Sequence, residues 1–118
     1  MGHRVTRPIS LAVGDVVLVA FPFSNGAVTK RRPALVITLS DGHGDHLMLP
    51  ITSNPQAADG IALTALDMAE GSLAVASWIK PLKPNPVAAS RVEKVFAKVR
   101  PAVLSRVRAS LCAALGCA

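Results

Sequence analysis

Between Asp15 and Val99 no apolar run outlasts a single strand before Gly, Pro, Asn or Asp interrupts it. Residues 15–21, 34–39, 46–51, 60–66, 73–80 and 93–99 are rich in β-branched and aliphatic side chains, and each segment is bounded by such turn residues. Many short strands in one small chain bury their apolar faces by curling, so the pattern predicts a curled antiparallel sheet or small barrel. The stretch Pro81-Leu82-Lys83-Pro84-Asn85-Pro86 lacks three backbone donors and reads as a surface connection, not a central strand or helix. From Pro101 the period changes. Val103, Leu104, Val107, Leu111, Ala114 and Leu115 recur at three- and four-residue spacing, while Arg100, Arg106 and Arg108 lie off that stripe. This predicts an amphipathic C-terminal helix, with Pro101 in its first turn and Gly116 at its stop. Its apolar stripe is expected to cap the barrel, and a share in a dimer interface is a second reading.

A chain of 118 residues holds one core, so residues 1–118 are expected to form a single domain. With 51% hydrophobic and 17% charged residues the composition is that of a folding chain. Three Phe, one Trp and no Tyr make that core aliphatic. Thirteen Lys and Arg against seven Asp and Glu give a net charge of +6, which favours a polyanionic partner. Charge alone does not choose among RNA, DNA, anionic lipid and acidic protein. No apolar run approaches the roughly 20 residues that span a bilayer, and the polar, basic start Met1-Gly2-His3-Arg4 does not read as a signal peptide. A cytoplasmic protein without a membrane partner is the expectation. Cys112 and Cys117, both read as helical, would stand about 7.5 Å apart in rise alone. That is too far for an intrahelical disulfide, and they are expected to be ordinary reduced cysteines rather than metal ligands.

The densest charge is Lys30-Arg31-Arg32, which follows the small, polar loop 24–29. Such a run is usually just a solvated strand flank. Arg32-Pro33 argues for more, because a cation fixed before proline at a strand entry is held by the backbone, and a guanidinium there can grip phosphate oxygens in pairs. In Pro50-Ile51-Thr52-Ser53 the hydroxyls either start a turn by bonding their own backbone or donate to a phosphate beside Arg32. Adjacency of the two strands across a hairpin would bring Thr52 to Arg32. Asp41-Gly42-His43-Gly44-Asp45-His46 gathers carboxylates and imidazoles, yet its glycines and its place between strands favour a hairpin turn over a metal site. No histidine stands out as a general base. No nucleophile elbow or phosphate-binding glycine loop is present, so nucleotide hydrolysis is not expected. Trp78 either packs in the core or stacks on an unpaired base.

Gly14-Asp15-Val16-Val17, Phe21-Pro22-Phe23, Arg32-Pro33-Ala34-Leu35-Val36-Ile37, Pro50-Ile51-Thr52-Ser53 and Ser77-Trp78-Ile79-Lys80-Pro81 fall in one order and spacing. Together they resemble the MazF/PemK family of toxin endoribonucleases over roughly residues 12–115. The resemblance implies a mainly β, SH3-like small barrel of the MazF/CcdB/Kid type with a C-terminal helix, acting as a homodimer. It also implies a toxin of a type II toxin–antitoxin system that cleaves single-stranded RNA sequence-specifically without metal or other cofactor. A cognate antitoxin would then hold its disordered tail in the RNA groove. The family's catalytic arginine and threonine carry over to Arg32 and Thr52. Attack of the RNA's own 2′-hydroxyl would leave a 2′,3′-cyclic phosphate and a 5′-hydroxyl, with Arg32 stabilising the phosphorane. Phe23, Ser24, Lys30, Arg31, Ser53, Ser77 and Trp78 are the expected RNA-binding residues. Some relatives carry a carboxylate as candidate base on the late strand that here reads Ser77-Trp78-Ile79; this chain has none there. Two rival readings share the fold: a non-enzymatic gyrase poison like CcdB, and a basic module that binds RNA or protein without turnover.

Overall fold

The structure is a computed structural model and describes residues 10–22, 29–55 and 60–117. Strand β1 (Asp15–Pro22) shows why its sequence reads as an unbroken apolar run: both of its faces are covered. Val16 packs into one buried cluster with Leu35, Leu49, Ile51 and Ile79, while Val17 and Val19 pack into another with Ala34, Val36, Met48 and Val92. A strand with one wet face would alternate instead.

β1 pairs antiparallel with β2 (Thr29–Val36) and with β8 (Val92–Val99). β2 pairs with β3 (Asp45–Thr52), which pairs at its start with β7 (Asn85–Ala88) and at its end with β6 (Ser77–Ile79). β4 (Ile61–Leu63) lies outside β6, and β5 (Met68–Gly71) lies outside β8. The described residues thus form an eight-stranded sheet in the order β4-β6-β3-β2-β1-β8-β5, with β7 as a side branch on β3. Irregularities in the β1–β8 and β5–β8 ladders accompany the bending of these strands, as bulges do. The sheet curls into a half-barrel whose end strands, β4 and β5, are joined through a 3-10 turn, Ala65–Asp67.

The helix α1 (Pro101–Leu115) closes one face by placing Val103 and Val107 in the first cluster, with Leu104 and Leu111 packed against it. Its first turn is tied to the 3-10 turn: the Arg100 amide donates to the Asp67 carbonyl at 2.8 Å, and the Arg106 guanidinium reaches the Asp67 carboxylate at 2.9 Å. The Thr64 amide also donates to that carboxylate, at 2.7 Å. Chiefly through this bond, with Arg106 adding to it, the Asp67 carboxyl is held below its ordinary pKa. Gly71 is a close-approach glycine: it adopts φ +70°, and a Cβ there would collide with the Phe96 carbonyl oxygen of β8.

Several sequence expectations need correcting. β2 begins at Thr29, not at residue 34, so the cations and Pro33 lie inside the strand and pair with β1. Segment 60–66 divides into β4 and the 3-10 turn, and only Ser77–Ile79 of segment 73–80 is strand. β5 was not expected at all; three of its four residues are exposed, so it lacks an apolar run. Asn85 and Pro86 belong to β7, which pairs with β3 alone, an edge position that tolerates proline. The 41–46 segment makes the expected turn. The Asp41 carboxylate accepts the amides of His43 and Asp45 at 2.7 and 3.0 Å, which holds its pKa down, and the buried His46 ring bonds the Thr38 carbonyl oxygen at 2.8 Å. Cys117 lies beyond the helix, which ends at Leu115, so the rise calculated for a continuous helix does not apply to the Cys112–Cys117 pair.

Candidate RNA-cleaving site

Pro33 marks the opening of the site. In the β2–β3 ladder the paired residues are Ala34 with Pro50, Leu35 with Leu49 and Val36 with Met48, and there the pairing stops. Pro33 withholds the β2 donor that would continue this ladder, whereas Pro50 faces β6, its carbonyl accepting the Lys80 amide at 2.9 Å. Continued by two residues, the same register would set Arg32 opposite Thr52. Instead β3 turns to β6, pairing Ile51 with Ile79 and Thr52 with Trp78. The parted strands leave a cleft of about 390 Å³.

Lys30, Arg31, Arg32, Thr52, Ser53 and Ser77 all line that cleft. Six of the nine residues expected at the site are therefore gathered by strands that are distant in sequence. Trp78 is not among the lining residues. It is half-buried, across the ladder from Thr52, on the strand face opposite buried Ser77 and Ile79. Phe23 and Ser24 lie outside the described residues.

Arg32 is exposed and has no ion-pair partner among the described residues, so its guanidinium remains available to an anion. Arg31 differs: its Nε donates to Glu93 Oε1 at 2.6 Å, from the start of β8. That pair is largely exposed and adds little to stability, but it offsets part of the positive charge at the cleft mouth. Thr52 is half-buried, and its Oγ1 accepts the Asn54 amide at 3.0 Å. The turn-forming reading of this hydroxyl is therefore realised, and it complements the other reading, because an oxygen that accepts keeps its own hydrogen to donate. Ser77 is buried and its hydroxyl donates to the Val75 carbonyl at 2.9 Å, so it shapes the wall.

Sequence reasoning did not find the apolar half of the cleft: Pro33, Ile51, Leu73, Ala74, Val75 and Phe96 complete the lining, and Glu93 holds Arg31. The Arg31–Glu93 pair spans 62 residues and has no sequence signature. Among the described residues, no group of three or more His, Cys, Asp and Glu could hold a metal ion. No helix among them is long and apolar enough to cross a membrane.

A curled half-barrel with one covering helix and a cation-rich cleft between parted strands defines a small β protein built to engage an anion. The family of PemK-like, MazF-like toxins of type II toxin–antitoxin systems matches residues 12–115, and the chain belongs to that family. A search of curated proteins found no match. Among solved structures, the chain is similar to MazE–MazF from Deinococcus radiodurans in crystal form II, at 24% identity and TM-score 0.76, covering 93% of this chain and 99% of that one. Form III of the same complex gives 24% identity and TM-score 0.75, over 93% of this chain and 100% of that one. An endoribonuclease in complex with its cognate antitoxin, from a mycobacterial species, gives 14% identity and TM-score 0.66, over 91% and 94%. These likenesses bear out the expected barrel with a C-terminal helix.

Proposed function

We propose that this toxin is a metal-independent endoribonuclease that cleaves single-stranded RNA sequence-specifically in the cleft between β2 and β3. The observation that supports the reading is that Arg32 and Thr52 line one cleft, beside Lys30 and Arg31, where the β2–β3 pairing stops. A scissile phosphate there meets a guanidinium able to contact two of its oxygens and a hydroxyl able to donate to one. The RNA's 2′-hydroxyl attacks the adjacent phosphorus, and negative charge accumulates on the phosphorane oxygens. Arg32 and Thr52 stabilise that charge more strongly than the charge of the starting diester, which is the difference that accelerates the reaction. The bond to the 5′ oxygen then breaks, leaving a 2′,3′-cyclic phosphate and a 5′-hydroxyl. DNA lacks the attacking group.

None of the described lining residues is a carboxylate or histidine, so the reading rests on positioning and charge stabilisation. Ser53 extends the polar wall. Trp78, paired with Thr52, would stack a base that leaves the cleft, and Phe23 and Ser24 would complete the RNA contacts. The family setting supports a homodimer in the cytoplasm, silenced by a cognate antitoxin whose tail occupies the RNA path. Two of the similar structures are MazE–MazF complexes, and the third pairs an endoribonuclease with its antitoxin.

The test incubates the protein with a long single-stranded RNA and its DNA counterpart in EDTA, with Arg32→Ala alongside, and maps the fragment ends. RNA-only cleavage with 5′-hydroxyl ends, slowed about 100- to 1000-fold by Arg32→Ala in a folded protein, is the expected result. Full activity in Arg32→Ala would remove this cleft from the mechanism. RNA that is bound but never cut would favour the non-catalytic module, and RNA neither bound nor cut would turn attention to gyrase.

A further inference from the structure

Away from the cleft, the C-terminal end of α1 brings two sulfurs together. Gly116 adopts the left-handed conformation, φ 77° and ψ 26°. The Gly116 amide donates to the Ala113 carbonyl at 3.3 Å, and the Cys117 amide donates to the Cys112 carbonyl at 2.8 Å. In this paired arrangement the residue after the glycine folds back over the last full turn, and a side-chain contact between those two positions usually accompanies it. Here both positions are cysteine. A single backbone hydrogen bond keeps the Cα atoms of its two residues close, at about 6 Å in an α-helix. Disulfides close over Cα separations of about 4.4–6.8 Å. Both cysteines are exposed, so a dissolved reagent reaches them. The neighbouring Cys117 thiol is the main cause of a raised Cys112 pKa.

We propose that Cys112 and Cys117 form a thiol-modification site that takes a low-molecular-weight disulfide and closes into an intramolecular disulfide across the helix cap. One cysteine thiolate attacks a sulfur of the small disulfide, forming a mixed disulfide and releasing the first small thiolate. The neighbouring cysteine thiolate then attacks the protein sulfur of that mixed disulfide and releases the second. Two protein thiols are oxidised, one small disulfide is reduced to two thiols, and the two protein protons pass to the released thiolates. The raised Cys112 pKa keeps its thiolate scarce at neutral pH, so its oxidation quickens as pH rises. Leu111, which packs against the core, immediately precedes Cys112, so the new bond fixes the last turn where it meets the barrel.

The experiment exposes the reduced full chain to excess glutathione disulfide and reads intact mass, free thiols and a non-reducing gel. The expected product is a single chain that has lost two hydrogens and both thiols and carries no adduct. Cys112→Ser and Cys117→Ser should each retain one glutathione adduct. Gly116→Ala keeps both thiols but strains the left-handed position, so closure should slow about tenfold. A stable double adduct in the wild-type chain, or cross-linked chains, would overturn the proposal. So would closure at the same rate in Gly116→Ala or in the urea-unfolded chain, because the cap would then not be what brings the sulfurs together.

Discussion

In the proposed reaction Thr52 carries two tasks with one oxygen. It accepts the Asn54 amide, which sets the turn after β3, and it keeps a hydrogen for the cleft. Replacing it tests whether that oxygen matters. Thr52→Ser retains the hydroxyl and should keep cleavage within about threefold of wild type, whereas Thr52→Val loses it and should fall about 10- to 100-fold. Single-turnover rates on one RNA compare the variants, and equal rates for Val and Ser would take Thr52 out of the chemistry. At this scale the meeting of Arg32 and Thr52 in one cleft was legible because a recognisable motif carries each. Glu93 was not. Its role depends on β8 starting beside β2, and nothing near Glu93 in sequence announces an arginine 62 residues away.

Elements were legible in proportion to how much apolar surface they bury. β1 and β8, the helix and the central part of β3 all announced themselves. β5 buries only Met68, and β7 contains a proline, so neither has the signal from which strands are read. The early start of β2 was hidden because its first residues include Lys30, Arg31 and Arg32, whose charge reads as loop. Pro33 at the seam makes a prediction at this scale. Pro33→Val restores a ladder donor, so β2 should pair further along β3 and narrow the cleft. Cleavage is expected to drop at least about tenfold while the thermal midpoint holds or rises; a fully active variant would show that the seam is kept open by something else. The opposite outcome is expected where β5 meets β8. Gly71→Ala should destabilise the fold by about 2 kcal/mol or more in denaturant unfolding, because a left-handed position and a backbone collision coincide there.

For the whole molecule, the balance of 13 cations against seven anions matters through its distribution. Lys30, Arg31 and Arg32 reach the cleft, with Arg31 partly neutralised by Glu93. If about three phosphates are contacted by these cations, log affinity for single-stranded RNA should fall against log salt with a slope of about −2. Removing Arg32 should lower that slope by roughly 0.7, measured by fluorescence anisotropy across salt concentrations. An unchanged slope would place the phosphate contacts elsewhere. The half-barrel also has a bearing on how the molecule behaves among its own copies. A sheet that does not close on itself leaves unpaired backbone at its margins, a standing invitation to strand addition and aggregation. Here β4 is three residues long, β5 is four and ends at Gly71, and β7 includes Pro86. Such margins are too short and too interrupted to template another chain, so an open sheet need not make the protein prone to assemble into fibres.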